Sequence, residues 1–207
     1  MPRAAGERLP EQAKELFGIE LKSSECERFD RFLALLGIWS KRTNLISARS
    51  RGEIVERHVL DSIAPLRFVR QAAVVADFGS GAGLPAIPLA ILAPATRFHL
   101  VESRRRRATF LRHVARALGL TNVRVHEERG EEWTPGEAID VTIGRAIRAD
   151  LLAALSLRVL ISNGRLIVMR KHTDGELRVA GFVEFERAPY SLPSGEQHEI
   201  VVLRRAD

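Results

Sequence analysis

Three glycines that alternate with small residues mark the segment of the chain best suited to hold a ligand. Gly79, Gly81 and Gly83 follow the apolar run 74–78, and Asp77 lies two residues before the first glycine. A buried parallel strand that turns into a nucleotide-binding loop has this pattern, because glycine lets the backbone approach a ligand closely. The third glycine comes one position earlier than in a dinucleotide fingerprint. The spacing Asp-x-Gly-x-Gly-x-Gly is instead that of S-adenosylmethionine (SAM) sites, which have no pyrophosphate to hold.

An acid at the end of the next apolar segment supports a cofactor of this kind. Glu102 follows His99-Leu100-Val101 and lies 19 residues after Gly83. A carboxylate at this point can accept hydrogen bonds from both hydroxyls of a ribose. The alternative is a solvated acid at a helix start, which the helix dipole favours. Together, the loop and Glu102 predict a nucleoside-type cofactor.

The triplet Gly144-Arg145-Ala146 follows a later apolar segment and is expected to face the same crevice. It lacks the acid or asparagine, two prolines and aromatic residue typical of methylases that attack exocyclic amines. The single cysteine, Cys26, is too early in the chain to attack pyrimidine C5. Guanine N7 remains, because its free lone pair needs no general base. Arg145 would orient guanine or a phosphate, or else form a salt bridge in a loop.

Positive charge favours a polyanionic partner. The net charge is +6, which points to nucleic acid ahead of membrane unless arginine is simply common in the genome. The run Arg104–Arg107 begins a predicted helix and would either contact phosphates or be solvated.

A second cluster precedes the glycine loop. His58, Asp61 and Ser62 have the spacing i, i+3 and i+4, so they share one face of a regular helix. The cluster is either a buried polar link between the first helices and the sheet or a group that faces substrate. Nothing indicates a Ser-His-Asp hydrolase, because no strained strand-to-helix turn presents Ser62.

The elements that position these residues fall into two zones. Residues 1–70 read as a helical extension, with capping boxes at Ser24–Glu27 and Ser50–Glu53, and residues 71–207 read as alternating strands and helices. Predicted strands cover 73–78, 97–102, 123–127, 139–143 and 165–170, followed by 181–187 and 198–204. Predicted helices cover 85–93, 104–118 and 149–161, with a turn at Asn163-Gly164. The pattern predicts an α/β fold whose mostly parallel sheet has an antiparallel element at one edge.

Composition limits the remaining possibilities. The chain has 207 residues, of which 45% are apolar, which is enough for a full core. The lone Cys26 excludes an intrachain disulfide framework and a cysteine-based zinc cluster, and it fits a reducing cytoplasm. We expect no signal peptide and no transmembrane segment, because the longest apolar stretch is short and contains two prolines.

Several motifs together resemble the bacterial small-subunit ribosomal RNA methyltransferase G family, also called the glucose-inhibited division protein B family. The resemblance is carried by segments 41–47, 57–62 and 77–90, continues through 107–120 and 144–146, and returns near His198. The proline-rich continuation of the glycine loop is specific to this pattern. The resemblance implies a class I SAM-dependent methyltransferase fold, a seven-stranded Rossmann-like sheet with an N-terminal helical extension.

The resemblance also implies an activity and its residues. The expected reaction is SAM-dependent methylation of guanine N7 in 16S rRNA, which leaves S-adenosylhomocysteine, by a monomer that acts on rRNA or on a small-subunit particle. The alternatives are a SAM-dependent methylase of another RNA or small molecule, and a non-catalytic RNA-binding assembly factor. The expected cofactor-binding residues are Asp77, Gly79, Ser80, Gly81, Gly83, Leu84, Glu102, Gly130, Glu131 and Arg145, and Arg145 also positions the substrate. The expected RNA-binding residues are Lys41, Arg42, Asn44, His58, Arg104, Arg105, Arg106 and Arg107, and no metal is expected.

The chain departs from the family pattern at a few positions. Gly130 stands where the family usually has alanine, and Gly144 stands where it usually has serine. After the fifth predicted strand, Met169-Arg170-Lys171 replaces Leu-Lys-Gly. These changes bear more on target choice and activity than on cofactor binding.

Overall fold

Seven strands form one sheet in the order β3-β2-β1-β4-β5-β7-β6. The computed structural model describes residues 8–43, 45–46, 50–172, 175 and 177–206. The strands are β1 (Val74–Phe78), β2 (Arg97–Val101), β3 (Val123–His126), β4 (Ile139–Arg145), β5 (Leu160–Lys171), β6 (Phe182–Ser191) and β7 (Gln197–Arg205).

Five of these strands run parallel and two close one edge of the sheet. β1 pairs in parallel with β2 and β4, β3 joins β2, and β5 joins β4. β7 runs antiparallel to both β5 and β6. The strand order reverses at β1, so a crevice opens at the carboxyl ends of β1 and β4, where ligands bind in sheets of this kind. The predicted α/β fold with an antiparallel element at one edge is confirmed.

Eight α-helices cover the sheet in the described part of the chain. They are α1 (Leu9–Phe17), α2 (Ser23–Thr43), α3 (Arg51–Ile54), α4 (Leu60–Ile63), α5 (Leu66–Val69), α6 (Ala86–Leu92), α7 (Arg105–Ala117) and α8 (Ala149–Val159). A π-helical turn, Val55–Val59, joins α3 to α4. None of these helices is long and apolar enough to cross a membrane.

The two predicted capping boxes have different outcomes. Ser50 caps α3 as predicted, because its hydroxyl accepts a hydrogen bond from the Glu53 N–H over 3.2 Å. The box predicted at Ser24–Glu27 is wrong. The Glu25 carboxylate instead accepts from the Lys22 N–H over 2.8 Å, two residues earlier than predicted. A side chain that reaches back from the third helical position performs this half of a capping box without a serine at the cap.

The turn predicted at Asn163-Gly164 is also wrong, because these residues lie inside β5. Ile139 pairs with Leu160 whereas Val141 pairs with Arg165, so residues 161–164 form a wide bulge against β4. A Cβ on Gly164 would lie 2.9 Å from the Ile161 carbonyl oxygen, so the bulge requires glycine there.

Alternation along β1 divides the core between the two faces of the sheet. Val75 belongs to a large cluster that also contains Phe29 and Phe32 of α2 and the buried helix α6. Val74 and Ala76 belong to a second cluster, which includes apolar residues of α8. This two-residue period is what a strand buried on both faces produces. The first helices therefore share a continuous core with one face of the sheet.

Candidate functional site

The glycine loop leaves β1 in a conformation that L side chains rarely adopt. Gly79, Gly81 and Gly83 have φ angles of +70°, +55° and +78°. A Cβ on Gly83 would lie 2.5 Å from Ile87 Cγ1, so glycine also permits the close approach of α6. The Gly79 N–H donates to the Val101 carbonyl over 2.9 Å, which ties the loop to the end of β2.

Glu102 holds this loop against the next helix. Its Oε2 accepts from the Gly81 N–H over 2.9 Å, and its Oε1 accepts from the Arg104 N–H over 2.8 Å. The side chain is buried, and both bonds fix its carboxylate at the carboxyl end of β2. Each oxygen retains a second lone pair, so the predicted role as ribose acceptor is compatible with these contacts.

A first cleft of about 200 Å³ opens beside this carboxylate. It brings together four of the predicted cofactor residues, Gly79, Glu102, Gly130 and Glu131. The remaining lining residues are Phe78, Val101, Ser103, Glu128, Arg129, Ile147, Leu151 and Leu155. Apolar walls beside the buried carboxylate of Glu102 suit a flat heterocycle joined to a ribose.

Gly130 is explained by the walls of this cleft. A Cβ there would lie 2.9 Å from Leu155 Cδ1 and 3.1 Å from Phe78 Cδ1. The alanine usual in the family would therefore displace Leu155. Gly144 is equally restricted by its surroundings, because a Cβ built there would lie 2.6 Å from Ile147 Cγ2. At both positions, the neighbouring side chains in this chain leave no room for a Cβ.

Asp77 is the buried acid of the loop. Its Oδ2 has no hydrogen-bond partner among the described residues. Burial raises the pKa of Asp77 to about 7, although the nearby Ser80 hydroxyl and the charge of Arg145 act in the opposite direction. A buried carboxylate oxygen without a partner is costly, and a cationic amino group such as that of SAM would satisfy it. Asp77 does not line the first cleft, but this orphaned oxygen is compatible with the predicted cofactor.

The other loop residues predicted to hold cofactor support the backbone. Ser80 is buried, and its hydroxyl donates to the Asp77 carbonyl over 2.9 Å. Gly81, Gly83 and Leu84 do not line the first cleft, and Leu84 packs in the core.

A second cleft of about 360 Å³ lies along the same edge of the sheet. It opens at the carboxyl ends of β4 and β5 and at the start of β7. Its lining residues are Arg57, His58, Asp61, Arg145, Ala146, Met169, Arg170, Lys171, Glu196 and His198. Ala146 has φ +57°, an uncommon angle for a residue with a side chain, and such strain is concentrated at functional sites.

The structure places Arg145 in this second cleft rather than among the residues that line the first. Its Nη1 donates to Asp61 Oδ2 over 2.9 Å, and the side chains of Arg145 and Asp61 are 18% and 4% exposed. The charge of Arg145 also acts on Asp77, where it partly offsets the rise in pKa that burial causes. Arg145 and Asp61 therefore form a largely buried ion pair in the second cleft.

Asp61 joins three elements that are distant in the sequence. Its Oδ1 accepts from the Tyr190 hydroxyl over 2.5 Å and lies 2.8 Å from His198 Nδ1. Burial alone would raise the pKa of Asp61, but the hydrogen bond from His198 and the charge of Arg145 outweigh it, so the pKa is lowered. Burial and the same carboxylate raise the pKa of Tyr190. Asp61 is thus an anion that links α4 to β4, β6 and β7.

His58 lines the second cleft as a neutral imidazole. Burial, together with the charge of Arg145, lowers the pKa of His58 to about 4. Its Nδ1 lies 3.5 Å from Arg145 Nη2, and its Nε2 has no partner among the described residues. Ser62 is fully buried and donates to the His58 carbonyl over 2.6 Å. His58 and Asp61 therefore both reach the cleft, whereas Ser62 supports the helix.

The predicted RNA-binding arginines lie at the start of α7. Arg104, Arg105 and Arg106 are exposed, and Arg107 is half-buried. Lys41 is exposed in the last turn of α2, which also contains Arg42, and Asn44 lies outside the described residues. Because α7 follows β2, the arginines share the sheet edge that carries both clefts.

Sequence reasoning missed Tyr190 and gave His198 no role. Their contacts with Asp61 span 129 and 137 residues, so no local spacing reveals them. The family match near His198 was the one available signal. Within the described residues, no group of three or more histidine, cysteine or acidic side chains could hold a metal ion.

Comparison with known sequences gives one consistent family. A family model described as rRNA small subunit methyltransferase G matches residues 25–194. A protein named Ribosomal RNA small subunit methyltransferase G from Dichelobacter nodosus is 34% identical over 191 residues, which cover 91% of this chain and 90% of the relative. A protein of the same name from Stenotrophomonas maltophilia strain K279a is 40% identical over 181 residues, which cover 83% and 84% of the two chains.

Solved structures agree at the level of the fold. The O-methyltransferase TomG from Streptomyces achromogenes, solved in complex with SAM, matches with a TM-score of 0.61 at 15% identity and full coverage of both chains, 100% each. A putative O-methyltransferase from Klebsiella pneumoniae matches with a TM-score of 0.59 at 16% identity and covers 94% of each chain. The predicted class I methyltransferase fold is confirmed.

Proposed function

The chain belongs to the rRNA small subunit methyltransferase G family, and from that premise we propose that it methylates N7 of a guanine in 16S rRNA. It is an rRNA methyltransferase, and its methyl donor is SAM. The observation that carries the choice of site is the pair of clefts at one sheet edge, with the ion pair of Arg145 and Asp61 in the second of them.

The first cleft holds the cofactor in this proposal. Glu102 accepts the ribose hydroxyls, and Gly130 and Glu131 bound the adenine beside apolar walls. Asp77 accepts a hydrogen bond from the amino group of the methionyl part. Gly79 and Leu84 belong to the loop that surrounds this region. SAM supplies an electrophilic methyl group on a sulfonium.

The second cleft receives the target base. Guanine N7 carries a lone pair and no proton, so the transfer needs no general base. The bond from N7 to the methyl carbon forms while the bond from that carbon to sulfur breaks, and the positive charge passes from sulfur to the base. No side chain has to remove a proton, which fits a cleft whose imidazole His58 is uncharged and whose Asp61 is already paired. Catalysis then depends on positioning and on exclusion of water.

Arg145 acts on the base or on a nearby phosphate rather than on the methyl group. A free cation at the methyl would not favour the reaction, because the sulfonium itself is positive. The ion pair with Asp61 compensates the charge of Arg145 and leaves other N–H groups of its guanidinium free to donate.

We further propose that the protein acts as a monomer in the cytoplasm, on 16S rRNA or on a small-subunit particle. The single Cys26 fits a reducing compartment. The exposed arginines at the start of α7 suit a phosphate backbone near the target.

The experiment is methyl transfer from radiolabelled SAM to small ribosomal subunits that lack the modification. The RNA is then digested to nucleosides, and the labelled product is separated. We expect label in 7-methylguanosine from the 16S rRNA. Label in another nucleoside would contradict N7, and label in protein or in a small molecule would contradict the substrate class.

A further inference from the structure

One imidazole of the second cleft has a fixed tautomer and an unused nitrogen. His198 Nδ1 lies 2.8 Å from Asp61 Oδ1. An ionised carboxylate can only accept, so the ring hydrogen of His198 is on Nδ1. The other nitrogen, Nε2, is then an acceptor in the neutral ring, and it is buried without a partner among the described residues. His198 lines the cleft beside Arg145.

Methylation at N7 changes what the base requires from its surroundings. As positive charge passes from the sulfonium to the guanine ring, the N1–H on the opposite edge becomes a stronger donor. An acceptor at this hydrogen therefore binds the transition state more tightly than the unmethylated base. Interactions of this kind raise the rate of the chemical step rather than the affinity for substrate.

We propose that His198, held by Asp61, accepts a hydrogen bond from N1–H of the target guanine and thereby stabilises the transition state. This inference rests on the proposed function and names the group that contacts the base on its Watson–Crick edge. His198 is the catalytic residue in this arrangement, and Asp61 is a positioning residue.

The charges of the cleft support this assignment. Asp61 compensates Arg145 at 2.9 Å, and both side chains are largely buried. A guanidinium without that partner would oppose the positive charge that develops on guanine. The same carboxylate draws the Nδ1 hydrogen of His198 and makes Nε2 a better acceptor.

The rim of the cleft allows a base to enter. Arg57 pairs with Glu196 at 3.0 Å, and the two side chains are 44% and 28% exposed. Lys171 lies 3.7 Å from the same carboxylate. The side chain of Lys171 is 62% exposed, so both cations are accessible and RNA phosphates can compete with Glu196 for them. The rim can therefore open toward Nε2 for a base flipped out of its stack.

The test compares two substitutions of one residue. His198→Leu keeps most of the volume and removes the acceptor, whereas His198→Gln keeps a terminal acceptor oxygen. Methyl transfer to undermethylated small subunits is measured under saturating SAM to separate kcat from KM. SAM affinity by calorimetry and the urea midpoint serve as folding controls, and His113→Leu, on the exposed face of α7, is the control for a histidine-to-leucine change.

We expect His198→Leu to lower kcat by about 10-fold to 100-fold with little change in KM or SAM affinity, and His198→Gln to recover much of the loss. The inference is overturned if His198→Leu keeps the wild-type kcat, if the loss is in KM alone, or if glutamine is no better than leucine. If the leucine variant fails to fold, His198→Asn, whose amide is too short to reach, replaces it against glutamine under the same criteria.

The wild-type protein alone tests the proposed function. If its digested RNA contains no 7-methylguanosine, the proposed function is wrong whatever the variants do. A wild-type protein that forms 7-methylguanosine, with variants that are equally fast, contradicts the role of His198 and leaves the proposed function intact.

Discussion

At the residue scale, the buried carboxyl of Asp77 is predicted to couple SAM binding to release of a proton. Its pKa is raised from 3.8 to about 7 by burial, so the folded protein holds a proton there that the unfolded chain loses. The contribution of this group to stability is fully present below 3.8 and is lost as pH rises through about 7. A cationic amino group next to Oδ2 would favour the ionised form and release that proton.

We therefore expect SAM to bind more tightly as pH rises through about 7, with release of a proton on binding. Asp77→Asn should lower SAM affinity by about 10-fold to 100-fold, since it removes a hydrogen bond to a charged group. It should also abolish the proton release. Calorimetry in two buffers of different ionisation enthalpy measures both effects, and equal proton release in the variant would contradict the role of Asp77.

Gly83 provides a second test at this scale, on stability. Its φ is +78°, and a Cβ would lie 2.5 Å from Ile87 Cγ1. Gly119 has φ +63° with nothing within 4 Å of its Cβ position, so it is a matched control. Gly83→Ala should cost about 2 to 4 kcal/mol, the sum of backbone strain and a core clash, against about 1 kcal/mol for Gly119→Ala. Urea unfolding measures the loss in free energy of unfolding for each variant. Equal losses would show that α6 moves to make room for the Cβ and that the close packing at Gly83 is not important.

Local motifs indicated the residues of the first cleft better than those of the second. The glycine loop and Glu102 could be recognised because each depends on residues close in sequence to a strand end. The partners of Asp61 could not, since Arg145, Tyr190 and His198 come from three strands that only the folded sheet brings together. The spacing i, i+3, i+4 also assumed a regular helix, whereas His58 lies in a π-helical turn and Asp61 lies in α4.

At the scale of elements, alternation between strand and helix patterns predicted the sheet and its parallel core. The departures occur where tertiary contacts override local signals. Asn163-Gly164 has turn chemistry, but pairing with β4 resumes at Arg165 and makes the segment a bulge. At the start of α2, Glu25 caps the helix instead of Ser24.

A buried acid also stabilises the antiparallel edge of the sheet. Glu199 of β7 is fully buried, and its Oε1 accepts from Arg187 Nη1 over 2.6 Å. His172 Nδ1 lies 2.9 Å from Oε2, and Arg170 Nε lies 2.9 Å from Oε1. Burial alone would raise the pKa of Glu199, but the hydrogen bonds from His172 and Arg187 outweigh it and lower the pKa. The acid thus ties residues of β5, β6 and β7 together.

Glu199→Gln should destabilise the protein by about 3 kcal/mol at neutral pH, because it leaves the largely buried Arg170 and the half-buried Arg187 without their anion. With a lowered folded-state pKa, the contribution of Glu199 is present above 4.5 and is lost as pH falls through the folded value, so the deficit should shrink in acid. Urea midpoints of the wild-type protein and the variant across this pH range measure the difference in stability. The control is Glu184→Gln, at an exposed pair with Arg187, which should cost less than about 1 kcal/mol. If Glu199→Gln costs equally little, or if its cost does not depend on pH, Glu199 does not stabilise this edge as a buried anion.

At the scale of the whole molecule, the arginines at the start of α7 are placed where they favour RNA binding at a cost to the stability of the fold. The first turn of α7 contains no acid and begins with Arg105, Arg106 and Arg107 after the cap residue Arg104. The positive end of the helix dipole repels such a cluster, and none of the described residues forms an ion pair with it. RNA phosphates at this helix start would offset the repulsion. Positive charge is thus concentrated at the sheet edge that carries both clefts.

The double substitution Arg105→Gln, Arg106→Gln should therefore weaken RNA binding without destabilising the fold. The exposed Arg70, after α5 and near the amino end of β1, lies at the opposite edge, and Arg70→Glu removes the same two charges from the net +6. If the α7 arginines neutralise phosphates, the slope of log K against log salt should fall by about 1.4 for the double variant, or about 0.7 for each lost contact, and stay unchanged for Arg70→Glu. Filter binding to 16S rRNA over a salt series measures both slopes. Equal slopes in the two variants would mean that net charge, rather than the α7 surface, governs the association. A slope that falls only in the double variant would place the phosphate backbone beside the two clefts, where a guanine must enter to be methylated.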